Sequence, residues 1–279
     1  MVNIRSLDPS ASPLDFYGSE LRRLREEAGL SQQQLGDVVY CTGSLIGQIE
    51  TAKKVPTRRF SEQLDAALMT GGLFTRMIGL VLKSQLPTWF QPYADMEARA
   101  TYISTYQSQL VYGLLQTADY ARAVLSVDNP ERLDELVAAR IERQRVLERE
   151  HPPVVCVVLD EAVLYRKIGS AEIMRRQLAH LLSFKDHPWV QVQILPFESG
   201  QHPGLLGSFT VLRFDDDPDL FYVPVYGGGH MTADQQVIRE RSVGYARLQA
   251  TALSREDSAA LIERVMEERY GHQPGPEVA

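Results

Sequence analysis

Through the first quarter of the chain, apolar side chains recur three and four residues apart, the spacing of helices with one buried stripe. Leu21, Leu24 and Ala28 form the first stripe, and Gly29 ends it. Leu35 and Val39 make a second, Ile46 and Ile49 a third, and Phe60, Leu64, Ala67 and Leu68 another. With a short helical turn near Lys53 and Arg58, the pattern predicts five helices in residues 1–70, behind a loose arm at residues 1–14. Gly71 and Gly72 then interrupt it. Residues 73–82 are apolar all round, which predicts a buried connecting helix within residues 71–85, packed between domains or against a second subunit.

A second domain is expected over residues 86–270. Trp89, Phe90 and Tyr93 stand at its entrance, and a helix is read from Asp95 through DMEARATYISTYQ. Thr117 caps a further helix, and a long one follows from Pro130 to about Glu150. After Pro152 and Pro153 the period changes. VVCVVLD is a continuous β-branched run, VQVQILP alternates, and GSFTVLRF and DLFYVPVY flank a turn at Asp215, Asp216, Asp217 and Pro218. These predict four strands, with a helix at residues 171–184 between the first two. Two closing helices, the last capped by Ser254, precede a tail at residues 271–279 read as disordered.

Residues 30–50, LSQQQLGDVVYCTGSLIGQIE, carry more than periodicity. Ser31 and Gln34 form a capping box, Gly36 is small enough to admit a second helix, Tyr40 and Cys41 make a turn, and Thr42 caps the next helix. Two such short helices need a third to bury against, which the Leu21 stripe supplies. This is helix-turn-helix spacing. With its I-x-x-I-E ending at Glu50, the stretch from Leu21 through Pro56 resembles the XRE family of bacterial and phage repressors.

That resemblance implies an all-α, lambda-repressor-like bundle of five helices, whose second motif helix enters the DNA major groove. It places Gly43, Ser44, Gly47 and Gln48 toward the bases, Gln32 at a phosphate, and Arg25 in a structural ion pair with Glu50. The plainer alternative for Arg25 and Glu50 is two solvated surface charges, and the match of both positions favours the pair. Lys53, Lys54, Arg58 and Arg59 match a loop that skirts the phosphate backbone, though such a run is also an ordinary solvated loop. Gln48 suits a bidentate contact to adenine, and Ser44 a base or a phosphate.

Two positions depart from the family. Tyr40 stands where Gly is common in a left-handed turn, so either the turn differs or strain is tolerated. Gly43 and Gly47 each cost about 1 kcal/mol in a helix interior relative to Ala. Either they let the backbone approach the groove, or this helix reads few bases and phosphate contacts and DNA shape carry much of the affinity.

The second half resembles a domain of unknown function that follows XRE motifs in actinobacterial regulators. WFQPYADMEARATYI, GLLQTADYARA, LDEAVLYRKIG and VQVQILPFESGQHPGLLGSFTVLRF carry the likeness. Tyr112 replaces an expected Pro, and Pro224 and Gly227 to Gly229 follow Tyr222 where an acidic residue is expected. Relatives of this type are often encoded beside a small partner protein, in an antitoxin-like arrangement.

At 279 residues and 44% hydrophobic, the chain can build two cores, an α domain followed by an α+β domain with a small four-stranded sheet and several helices. The net charge is −7, yet residues 1–70 hold eight basic against nine acidic side chains. So weakly charged a domain should need a homodimer, reading two half-sites about one helical turn apart. Cys41 and Cys156 read as buried free thiols. Neither a membrane-length apolar run nor a leader is seen, so a cytoplasmic protein is expected.

Candidates for chemistry are sparse. Asp160 and Glu161 could do acid–base work, but no nucleophile, phosphate loop or metal spacing accompanies them, and turn or capping roles suit them better. His180, His187 and His230 lack ligand spacing. Trp89, Tyr102, Tyr106, Tyr112 and Tyr120 either line a small-molecule or peptide pocket or simply pack a core, and His202, in a Gly-rich loop, either lines a pocket or is solvated. No catalytic residue, metal or cofactor is assigned. The expectation is a regulator of double-stranded DNA rather than an enzyme, signalled through its second domain by a small neighbouring-gene protein or by a metabolite.

Overall fold

The computed structural model describes residues 7–128 and 130–271. The chain divides into two compact units, Met1–Pro87 and Thr88–Ala279. Residues 1–6 of the expected arm, and the expected disordered tail beyond Gly271, lie outside the described residues.

In the first unit, α1 (Pro13–Glu27) starts behind Ser12, whose hydroxyl accepts the Asp15 N–H, so the arm ends sooner than expected. Then come α2 (Gln32–Val38), α3 (Gly43–Glu50), α4 (Arg58–Leu68) and α5 (Leu73–Gln85). The short helix expected near Lys53 and Arg58 is absent, because Pro56 donates no N–H and biases Val55 away from helical dihedrals. The fifth helix is instead α5. Its Phe74 ring lies 5.0 Å from that of Tyr17, whose hydroxyl meets Ser61 Oγ at 2.8 Å, so α5 closes the core formed with α1 and α4. Leu21, Leu35, Ile46, Leu64, Phe74, Ile78 and Val81 are all fully buried.

Asp65 caps α5. Its carboxylate accepts the backbone N–H of Phe74 at 2.9 Å and of Thr75 at 2.8 Å, and the hydroxyls of Thr70 and Thr75. Partial burial works to raise its pKa, but these four donors outweigh it and hold the carboxyl below its ordinary value.

Among its described residues the second unit has six strands, not four, in the order β3-β2-β1-β4-β5-β6. They are β1 (Tyr102–Gln107), β2 (Val154–Asp160), β3 (Val190–Leu195), β4 (Phe209–Arg213), β5 (Leu220–Val225) and β6 (Gly228–Thr232). The first three are parallel and the other pairings antiparallel. The helix expected from Asp95 through Gln107 is only α6 (Gln91–Glu97); the rest is β1. As a central strand buried from Ile103 to Tyr106, β1 shows no alternation to betray it. The edge strand β6, GGHMT, carries no apolar pattern, and Gly227 at φ 72° turns the chain into it.

Crossovers between the parallel strands are α7 (Ala118–Leu125), α8 (Leu133–Arg143), α9 (Ala162–Tyr165) and α10 (Ala171–Leu182). The chain closes with α11 (Gln235–Thr251) and α12 (Arg255–Tyr270). Alternate side chains of β2 sort the two faces. Val155, Val157 and Leu159 join the core under α10 and α12; Cys156 and Val158 join Tyr245 and Leu248 of α11.

A buried polar cluster ties α6 and α8 to that first core. Glu97 is fully buried and accepts the hydroxyls of Tyr112 at 2.5 Å and Tyr93 at 2.9 Å. Arg143 Nε lies 2.7 Å from its second oxygen, out of line for a hydrogen bond, so charge attraction holds that contact. The guanidinium sits over the Phe90 ring at 4.9 Å, and Tyr93 stacks on Tyr222 of β5 at 4.0 Å. Burial, then the Glu97 charge, pushes both phenols well above their usual pKa, so they remain donors.

Replacing Glu97 by Gln strands Arg143 in the core and is expected to cost about 3–5 kcal/mol. Adding Arg143→Met should recover a large part of that loss. Both tryptophans, Trp89 and Trp189, lie in the second unit, so their fluorescence during urea unfolding reads this directly; additive losses would contradict the pairing. In the first unit, the Asp65 contribution should be full above pH 4, near its ordinary 3.8, and fall away as pH drops through the lowered folded value. Asp65→Asn should flatten that acid limb, measured as unfolding midpoint against pH.

Candidate nucleic-acid interface

The α2–α3 pair is locked at each end by its own sequence. Ser31 Oγ accepts the Gln34 N–H at 3.1 Å while Gln34 Oε1 accepts the Ser31 N–H at 2.8 Å, completing the expected capping box. Thr42 Oγ1 accepts the Leu45 N–H at 3.2 Å and starts α3. Between them Tyr40 does adopt the left-handed conformation, at φ 57°, and is 90% exposed, so the turn tolerates strain rather than changing shape. The Cys41 N–H closes onto the Gly36 carbonyl at 2.8 Å. Cys41 is only half-buried, unlike Cys156.

At the far end, α3 stops in a Schellman motif. The Lys53 N–H bonds to the Gln48 carbonyl at 2.8 Å and the Ala52 N–H to that of Ile49 at 3.0 Å, with Ala52 at φ 53°.

Beneath α3 lies a buried polar node. Glu50 is 3% exposed and takes both arms of Arg25, Nε at 2.5 Å and Nη2 at 3.1 Å. Gln32 Nε2 donates to the same carboxylate at 2.8 Å, and Arg25 Nη1 donates to the Leu30 carbonyl at 2.7 Å. One carboxylate thus joins α1, the start of α2 and the end of α3. Glu50 raises the already high pKa of Arg25 against the opposing effect of burial, so the guanidinium keeps its charge.

The two glycines of α3 have a role that the sequence did not suggest. A Cβ on Gly43 would lie 3.0 Å from Gln33 N and Cα, and one on Gly47 would lie 3.0 Å from Gln32 Oε1. Four residues apart, they let the first turn of α2 press onto α3, and Gly43 is buried there. The solvent face of α3 is made by Ser44 and Gln48, with Leu45 half-buried between them. Gln32, engaged with Glu50, still has a second amide donor. Lys53, Lys54 and Arg59 are exposed after α3, whereas Arg58 turns inward to the Thr75 carbonyl at 3.3 Å.

In the second unit, the candidate pocket residues are dispersed. Tyr106 is buried at the end of β1 and donates to Asp160 Oδ2 at 2.9 Å, with the His202 ring 5.8 Å away. Tyr102, at the start of β1, meets Cys156 Sγ at 3.1 Å. Tyr112 lies on the opposite face of the sheet, and the Trp89 ring packs edge-on against Phe90, part of that same core. Asp160 Oδ1 accepts the Ala162 N–H at 2.9 Å, and Glu161 Oε2 the Phe197 N–H at 2.8 Å, which are capping and turn roles. Among the described residues no group of three His, Cys, Asp or Glu could hold a metal, and no helix is long and apolar enough to cross a membrane.

A family model described as a helix-turn-helix domain matches residues 17–73. Another, described as a domain of unknown function, DUF5753, matches residues 90–264. No curated protein and no solved structure matches the chain.

Because Tyr40 and Ala52 both occupy left-handed positions, Tyr40→Gly and Ala52→Gly should each stabilise the first unit by about 0.5–1 kcal/mol. Chemical denaturation followed by circular dichroism checks this; a lowered midpoint in both variants would refute these helix-end geometries.

Proposed function

The chain belongs to the DUF5753 family and carries a helix-turn-helix domain ahead of it, and from that premise we propose that it is a dimeric, sequence-specific DNA-binding transcriptional regulator. The observation that carries the reading is the exposed Ser44–Gln48 face of α3, fixed from beneath by the Arg25–Glu50–Gln32 node. A helix so held presents Gln48 to a base edge and Ser44 to a base or phosphate. Lys53, Lys54 and Arg59 meet the backbone on one flank, and the spare donor of Gln32 on the other. Gly43 and Gly47 contribute by admitting α2, and Arg58 by bracing α5. With only two polar side chains offered to the bases, one domain reads little sequence, which favours a homodimer on two half-sites.

The second unit is assigned the receiving role. A small protein encoded next to the gene is the favoured signal, as in antitoxin-like pairs, and the protein acts in the cytoplasm. No catalysis is part of this reading: Asp160 and Glu161 are committed to holding turns.

Fluorescence anisotropy on the region upstream of its own gene tests the proposal. Gln48→Ala should lose about 1–3 kcal/mol per half-site and relax base preference at one position. Three backbone cations per domain give a dimer a slope of about −5 in log K against log salt, and Lys53→Ala should reduce that by about 2. Unchanged affinity, preference and salt slope in folded variants would overturn the assignment.

A further inference from the structure

The described residues of the second unit enclose a cleft of about 290 Å³ on the α11 face of the sheet, close in size to ligand pockets. Its floor is Phe209 of β4 with Phe221 and Val223 of β5. One wall is Pro203 and Leu206 of the loop after β3; the other is the α11 face carrying Val243, Gly244 and Arg247, with Arg241 beside it.

The loop wall is anchored from below. His202 Nδ1 accepts the Gly204 N–H at 3.2 Å, and Gly204 is buried against the Tyr106 ring, itself bonded to Asp160. His202 Nε2 stands 4.0 Å from that same Asp160. The cleft is therefore pre-formed. Its lip is apolar: Leu206 is 91% exposed and Val243 49%.

Charge sets the occupant. Arg99, Arg122, Arg143, Arg176 and Arg213 of this unit are each paired with a carboxylate. Among the described residues Arg241 and Arg247, like Arg166, Arg239 and Arg264, have no carboxylate partner, and they are the two of that set that line the cleft. Arg241 lies over the Phe221 ring at 5.8 Å, at the edge of the apolar floor. The one acid in the lining, Glu240, accepts from Gln236 at 3.2 Å, which leaves a single carboxylate against two guanidinium groups. Two open guanidinium groups at the mouth of an apolar slot complement an organic anion with an apolar body.

We propose that this cleft binds a small organic acid, its apolar body on Phe209, Phe221 and Val223 and its carboxylate on Arg241 and Arg247. The site goes beyond the DNA-binding reading and is tested without DNA.

The full chain is titrated by calorimetry with 2-naphthoate and with neutral 2-naphthamide as probes. Naphthoate should bind about ten-fold tighter than the amide. Arg241→Gln/Arg247→Gln should erase that preference. Gly244→Leu should block both probes while keeping the fold, because a Cβ there meets only Pro203 Cβ at 3.6 Å and Leu favours a helix. Equal binding of acid and amide, no binding to the native chain, or unchanged binding in both variants would overturn the proposal. A change in sedimentation caused by these variants without anion binding would also overturn it, in favour of contact between chains.

Discussion

Glu50 is the constraint on which the helix-turn-helix unit depends. A carboxylate 3% exposed is costly unless both its oxygens find donors, and here the two arms of Arg25 and the amide of Gln32 supply them. Since those donors come from two other helices, only one arrangement of α1, α2 and α3 satisfies the charge. Apolar packing of Leu21, Leu35, Ile46 and Ile49 supplies the bulk of the stability but tolerates small rotations of a helix. A bidentate ion pair does not. The orientation of Ser44 and Gln48 toward solvent is thus set by chemistry on the opposite side of the same helix.

The close seating of α2 follows from the same demand. For Gln32 to reach Glu50, the first turn of α2 must lie against α3, and side chains at Gly43 and Gly47 would stand in its way. Gly47, inside the helix, carries a propensity cost of about 1 kcal/mol in exchange for that contact, whereas Gly43 is the first helical residue and escapes the interior cost. The second unit uses a comparable device: Glu97 and Arg143, with two tyrosines, fix α6 and α8 against the sheet. In each unit a buried acid selects one packing among those that burial alone would permit.

Much of this was legible in the sequence. Capping residues act locally, so Ser31, Gln34, Thr42, Thr117 and Ser254 marked helix starts correctly. The Arg25–Glu50 pair came from family resemblance, because two charges 25 residues apart carry no local sign of contact. β1 was misread as helix because a strand buried on both faces has no alternation, although its β-branched and aromatic run was a usable signal. β6 gave no signal at all, since a glycine-rich edge strand is defined by its partner. The partners of Gly43 and Gly47 were invisible for the same reason, and so was the inward turn of Arg58. The cleft with Arg241 and Arg247 arises where a loop, two strands and a distant helix meet, which no spacing rule can reveal.

The proposed function requires the Ser44–Gln48 face to enter the major groove of a specific site in a two-fold assembly. Hydroxyl-radical footprinting of the full chain on the region upstream of its own gene tests it most directly. Two protected backbone patches are expected, with centres about 10–10.5 base pairs apart or a multiple of that. Absence of protection by folded protein at low salt, or uniform protection with no phased pattern, would contradict it.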